Sequence, residues 1–357
     1  MAGAEVNEFE LIGRYFAHVG APRDDVECSV GDDGAVLRSS EDGRRLVWAT
    51  DTLVAGRHFP DGAEPAAIGH KALAVNLSDL AAMGAEPAWA TLALTLPEAD
   101  PDWLAAFAEG FGALARTHNV ALVGGDTTRG PLTITVGVAG WSERPLRRDG
   151  ARAGDGIFVT GRLGEGLAGL RVALGEVAPE AAVAETLLGR YYFPEPRLGQ
   201  KGGQKGDSPL FSRKKGTVPF LATFLATASA AVDISDGLLA DLGHILTASG
   251  VGATLEAAAL PVSPAATAAL GAEAAFDAAL HGGDDYELLF TCADPAAAEA
   301  AFGAESGLGS DTGSGTGLAV TRIGTIEAAP GLRLVDADGR ATTPAVSGHD
   351  HFRGGST

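Results

Sequence analysis

The sequence predicts a mixed α+β protein of two domains. Its 357 residues exceed what one average domain holds, and two domains of ordinary size are the natural division. Short β-prone runs and longer stretches of helical periodicity both recur along the chain, and hydrophobic residues at 46% can furnish real cores. Between them lies RPLRRDGARAGD, Arg144 to Asp155, which is basic, contains glycine and is poor in apolar residues. It divides the chain into residues 1–146 and 147–357.

In the first part, Asn7 and Glu10 form a helix-start pair, and Phe9, Ile12, Tyr15 and Phe16 give that helix one apolar face. GDDGAVLR and RRLVWATDTLVAG are strand-like, with Asp32 and Asp33 before the first strand and Asp51 directly after the second. A helix is predicted over Ile68 to Met83, and Asp79 interrupts its apolar half. A carboxylate among such neighbours should be exposed, paired or metal-bound, because burying it alone is costly. Thr91 to Pro97 reads as a strand and Asp102 to Thr117 as a second helix. The strand VALVGGDTTRG should end in Gly124, Gly125 and Asp126, where glycine lets backbone approach a ligand closely. LTITVGVAGW alternates as a strand does.

The second part opens with GIFVTGRLGEGLAGLRVAL, which holds a formal G-x-G-x-x-G at Gly164, Gly166 and Gly169. No strand-end acid follows at the spacing a dinucleotide fold needs, so a close-packed strand-to-helix turn is the better reading. Residues 199–220 contain a doubled GQKG unit followed by Lys, Arg, Pro and Gly, and read as an inserted, mobile loop. VDISDGLLADLGHIL brings Asp233, Ser235 and Asp236 to a strand-to-helix turn, where free amides can take an anion and the acids a cation. LHGGDDYELLF again sets acids, Asp284 and Asp285, before a strand. Residues 306–317 form a Gly/Ser loop, and GHDHF lies near the end.

Charge narrows the function. With 26 basic and 46 acidic side chains the formal net charge is −20, which argues against a nucleic-acid or anionic-membrane surface. Cys28 and Cys292, without metal or disulfide spacing, point to a reducing compartment. The acidic start resembles no signal peptide, and no stretch reaches the roughly 18 apolar residues of a membrane span, so a cytoplasmic protein is expected.

Singly, an Asp beside Gly is an ordinary turn residue. Together, Asp32, Asp33, Asp51, Asp79, Asp126, Asp233, Asp236, Asp284 and Asp285 form a pattern that would repel itself uncompensated. Oxygen-ligated cations relieve such repulsion, and magnesium retains water and substrate phosphate in its shell. Several magnesium ions on a polyphosphate are therefore expected. Walker A, protein-kinase and G-x-S-x-G motifs are all missing from the sequence. Phosphoryl transfer would then rest on charge neutralisation and positioning, with Arg148, Arg129 and Lys71 as candidate phosphate contacts.

GDDGAVL, TDTLVAGRHF, KALAVNLSDLAAMGAEP, GGDTTRG, DISDGLLADLGHI and GGDDYEL, in this order, closely resemble the thiamine-monophosphate kinase family. That family lies within the aminoimidazole ribonucleotide synthetase-like superfamily. The resemblance implies ATP-dependent phosphorylation of thiamine monophosphate to thiamine diphosphate by direct in-line transfer. It implies a homodimer paired through N-terminal sheets, and a sandwich-like C-terminal α/β domain. Magnesium ligands would be Asp33, Thr50, Asp51, Asp79, Asp126, Asp233 and Asp236; Gly125, Arg148 and Ser235 would meet ATP. Asp126, Asp236 and Arg148 would carry the chemistry, and His58, Asp284 and His349 would meet the thiamine moiety. Three positions depart from the pattern: Ala49 for Ser or Thr, Asp284 for Glu, and His349 for an aromatic stacking residue. The insertion also displaces what reads as a helix before Asp233. The alternatives are another ATP-dependent enzyme of the superfamily, or a catalytically disabled magnesium-nucleotide-binding protein.

Overall fold

The computed structural model describes residues 8–28, 36–39, 43–198, 220–306 and 318–344. In chain order the first part contains α1 (Glu8–Tyr15), β1 (Val26–Cys28), β2 (Val36–Leu37), β3 (Arg45–Val54), α2 (Pro65–Ala82), β4 (Glu86–Leu96), α3 (Pro101–Thr117), β5 (Ala121–Arg129) and β6 (Thr133–Ser142). Next come β7 (Gly156–Thr160), α4 (Glu165–Ala173), α5 (Ala181–Tyr192), α6 (Phe220–Thr227), β8 (Ala228–Asp233), α7 (Leu238–Ser249) and β9 (Gly252–Glu256). The remainder is α8 (Pro264–Leu270), α9 (Ala272–His281), β10 (Leu288–Cys292), α10 (Pro295–Ser306), β11 (Val320–Glu327), β12 (Gly331–Val335) and β13 (Ala341–Thr342).

β3, β6, β4 and β5, in that order, form a four-stranded sheet, and β13-β12-β9-β11-β7-β10-β8 a seven-stranded one. The mixed α/β class is as predicted. Two acids expected at strand ends lie instead inside strands: β3 runs on past Asp51 to Val54, and β5 past Asp126 to Arg129. Backbone pairing with β6 and β4 explains this, because a ladder partner holds a Gly- or Thr-rich segment extended whatever its own propensity. The helix expected before Asp233 is present as α6. The pairing of Asn7 with Glu10 lies outside the described residues, as do the loops expected at 199–220 and 306–317 except for their edges, where Phe220 opens α6 and Ser306 closes α10.

Helix α2 sits between the two sheets. Every residue from Ala67 to Ala82 except Asp79 is buried, the signature of a helix without a solvent face. Its neighbour α3 starts crisply: Asp100 accepts from the amides of Asp102 (2.9 Å) and Trp103 (3.3 Å), with Pro101 in the first turn. The two helices touch backbone to backbone. A Cβ on Gly69 would stand 2.2 Å from the Phe107 carbonyl oxygen, and one on Gly110 1.9 Å from that of Ala66. Gly110→Ala must therefore push α2 and α3 apart, and should cost about 1–3 kcal/mol. A urea titration should show a lower midpoint at unchanged slope; an unmoved midpoint would contradict the close approach.

Candidate active site

The second half of α2 brings Asn76, Ser78 and Asp79 to the neighbouring acids. Asn76 Oδ1 accepts from the Asp51 amide at 2.8 Å, which ties β3 to the helix. Ser78 donates to Asp233 Oδ2 at 2.8 Å, linking α2 to the end of β8. Asp79 lies one residue on, and its carboxyl is pushed up to about 8 by burial first, then by Asp233 and Asp51, with Arg148 opposing. Burial also raises Asp233, to about 6, where Ser78 and Arg148 pull down and Asp51 pushes up. Asp51 is raised by the surrounding protein and by Asp236, although its own surface stays open to solvent. Asp51, Asp79, Asp233 and Asp236 thus share one region, with Arg148 beside them. Two come from the first part of the chain and two from the second.

The turn after β8 differs from expectation. The amides of Ser235 and Asp236 do not await an anion: both donate to Asp241 Oδ2 at 3.1 Å. Asp241, on α7, is buried and pushed up to about 7 by burial and then by Asp233. Sequence reading passed over it as one polar residue in an amphipathic helix. Its signal was its place in the first turn after DISDG, where a carboxylate caps free amides.

Asp285 leaves the constellation. It is 1% exposed and accepts from the amides of Gly164 (2.7 Å) and Gly166 (2.9 Å). A carboxylate of the protein's own occupies the start of α4, where a dinucleotide would lay its pyrophosphate. Lys71 is likewise committed, since Nζ donates to Asp284 Oδ2 at 2.9 Å. Arg129, exposed, donates to the Pro97 carbonyl at 3.2 Å. Of the three candidate phosphate contacts, Arg148 is the one set among the acids.

Asp126 stands elsewhere. The register aligns Asp51, Val136, Leu92 and Gly125 in one row and Thr52, Thr135, Ala93 and Asp126 in the next. Val136 and Leu92 are buried on the α2 side, whereas the Thr52 and Thr135 hydroxyls meet at 2.8 Å on the other face. Asp126 therefore belongs to the face away from α2, three strand spacings, about 14 Å, from β3. Thr50 also points its side chain there, next to Gly137. Leu46 and Trp48, 50% and 57% exposed, lie on that same face. Asp33 and His349 fall outside the described residues.

Among the described residues no three His, Cys, Asp or Glu side chains converge tightly enough to enclose a metal. The donor set nevertheless fits a hard divalent cation: it is all carboxylate and crowded, with Asp51, Asp79 and Asp233 held above the ordinary range.

Residues 31–142 match the family described as AIR synthase related protein, N-terminal domain. Thiamine-monophosphate kinase of Salmonella typhimurium (strain LT2) is 44% identical over 351 residues, 97% of this chain and 98% of that protein. The chain belongs to the thiamine-monophosphate kinase family. Solved members of the family share its architecture. The crystal structure of the enzyme from Stenotrophomonas maltophilia K279a is 43% identical, covers 90% of this chain and 93% of its own, and superposes with a TM-score of 0.74. AaThiL complexed with AMPPCP and TMP is 30% identical, with 91% and 92% coverage and a TM-score of 0.71.

A folded pKa of about 8 for Asp79, above the ordinary 3.8, means that the folded state holds the proton more tightly than the unfolded one. The resulting penalty is absent below about pH 4 and grows as pH rises towards 8. Asp79→Asn removes it. In chelator-treated protein this variant should gain on the order of 1–2 kcal/mol at pH 8, read as a higher Tm, and the gain should shrink towards pH 5. A lower Tm at pH 8 would contradict the crowding.

Proposed function

We propose that this chain transfers the γ-phosphoryl group of ATP to thiamine monophosphate, yielding ADP and thiamine diphosphate. The observation that carries the reading is the meeting of Asp51, Asp79, Asp233 and Asp236 beside Arg148, in a chain of this family. AaThiL has been solved with AMPPCP, an ATP analogue, together with TMP, and this supports the same pair of ligands here. In the reaction an oxygen of the thiamine phosphate forms a bond to the γ-phosphorus as the bond from that phosphorus to the β,γ-bridging oxygen breaks.

Each residue then has a task. Arg148 meets the phosphates as a cation among acids, and Gly125 and Ser235 approach the nucleotide. A Cβ on Gly125 would stand 1.8 Å from the Leu92 carbonyl oxygen, so only glycine fits there. Asp33, Asp51, Asp79, Asp233 and Asp236 would hold magnesium, with Thr50 and Asp126. When bound, magnesium neutralises polyphosphate charge that carboxylates alone would repel. His58 and Asp284, with His349, face the thiamine moiety. Residues 1–146 form the nucleotide- and metal-binding, dimerising unit, and 147–357 the second.

The reading includes a homodimer. Asp126 and Thr50 stand on the sheet face opposite Asp51, alongside exposed Leu46 and Trp48, so a second copy packed on that face would supply them to its partner. No described helix is long and apolar enough to cross a membrane, and a cytoplasmic location suits the reaction.

A coupled ADP-release assay with thiamine monophosphate, ATP and Mg²⁺ tests the activity. Turnover is expected, with Asp236→Asn slowed at least about a hundredfold. Folded wild-type protein that turns over only a different acceptor would refute the substrate. Mixing Asp51→Asn and Asp126→Asn subunits should restore activity that neither variant shows alone, because one hybrid site regains both acids; mixtures as inactive as their parents would count against the shared site.

A further inference from the structure

His58 and Asp284, the two described residues that the proposed function places at the thiamine moiety, lie on different elements far apart in sequence. A continuous set of contacts joins them. The Tyr191 hydroxyl donates to the His58 carbonyl oxygen at 3.2 Å. The Tyr191 ring receives the Lys71 ammonium at 3.7 Å from its centroid, within cation–π range. Lys71 Nζ donates to Asp284 Oδ2 at 2.9 Å, and the Tyr286 hydroxyl to Asp284 Oδ1 at 2.8 Å. Lys71 and Tyr191 are each 1% exposed, whereas the Asp284 side chain keeps 29% of its surface open.

Burial of the linking groups and exposure of the carboxylate form an asymmetric pair. A lysine this buried is costly unless its charge is matched, and Asp284 together with the ring matches it. Asp284, being partly exposed, does not need Lys71 for its own solvation. What it gains is orientation: one oxygen is held by the ammonium, the other by the phenol, and the open edge is turned outward. The backbone adds to the constraint, with Asp284 at φ +66° and Tyr286 at φ +48°, a left-handed conformation that non-glycine residues adopt only when their surroundings impose it.

We infer that Lys71, with Tyr191 behind it, is a positioning residue of the thiamine-phosphate subsite: it fixes the Asp284 carboxylate for the substrate and never touches the phosphates itself. This rests on the function proposed above, and the test separates the two.

Lys71→Met keeps the unbranched stem of the side chain, one atom shorter, and removes its charge. Steady-state kinetics of this variant should show KM for thiamine monophosphate raised about tenfold or more, with KM for ATP within about twofold of wild type. The double variant Lys71→Met/Asp284→Asn should be no worse than the more impaired single, because both act through one carboxylate. Parallel rises in both KM values, or additive losses, would overturn the inference while leaving the proposed function intact. Hydrogen exchange gives a readout independent of turnover: amides 283–287 should exchange faster in Lys71→Met with α7 unaffected, and unchanged protection there overturns the inference even in a chain inactive on thiamine monophosphate. Tyr286→Phe frees the other oxygen without disturbing α2 and should show the same KM split, so a misfolded Lys71→Met protein still leaves a decisive variant; an unsplit response in it has the same force against the inference.

Discussion

Buried between two sheets, the polar side chains of α2 must find their partners inside the protein, and that requirement fixes where the rest of the site lies. An unpaired buried donor or acceptor costs about 1–3 kcal/mol and an unpaired charge more. His70 meets the Pro194 carbonyl at 3.0 Å, Lys71 meets Asp284, Asn76 the Asp51 amide, and Ser78 the Asp233 carboxylate. Each bond runs to a different segment. One helix with no solvent face thus ties together the end of α5, the loop before β10, β3 and β8. Its one incompletely buried residue between Ala67 and Ala82, Asp79, lies beside the acids that β3 and β8 bring in, Asp51 and Asp233.

That arrangement sets stability against chemistry. Asp79, Asp233 and Asp241 all sit well above the ordinary carboxylate range, and in each burial is the largest cause. A protein selected only for stability would place Asn, Ser or an apolar residue there. Elsewhere the same chain satisfies buried acids fully. Glu287 is fully buried, yet Arg190 and Arg197 hold it below the usual range against the cost of burial, and Thr160 donates to it at 2.6 Å. Buried acids held low by arginines and buried acids left raised thus occur in the same chain, and their environments separate structural from chemical roles.

Much of this was legible in the sequence. Apolar periodicity located α2 and α3 to within a few residues, and the recurrence of aspartates, mostly flanked by Gly, Ser or Thr, at the ends of apolar segments flagged Asp51, Asp79, Asp233 and Asp236. What it could not supply was direction. Asp284 and Asp285 are adjacent, but one opens towards the site and the other caps α4, a difference set by backbone geometry that no residue type encodes. The face on which Asp126 stands depends on the irregular register between Ala90 and Thr91, where one slipped residue exchanges the faces of a strand. Asp241 was missed because its role, closing two amides of a turn, looks from the sequence like an ordinary helix-surface acid.

The stems on either side of residues 199–219 are both secured to β10 or its neighbours. Arg197 pairs with Glu287 just ahead of β10, while Phe220 stacks on Phe224 at 5.5 Å, and Phe224 in turn packs edge-on against Phe290. With both ends pinned, the length of chain between them has little leverage: doubling a flexible connection costs only about 0.6 kcal/mol in closure entropy. A tag or reporter domain placed between these two anchors should therefore leave the aspartates across the sheet where they are.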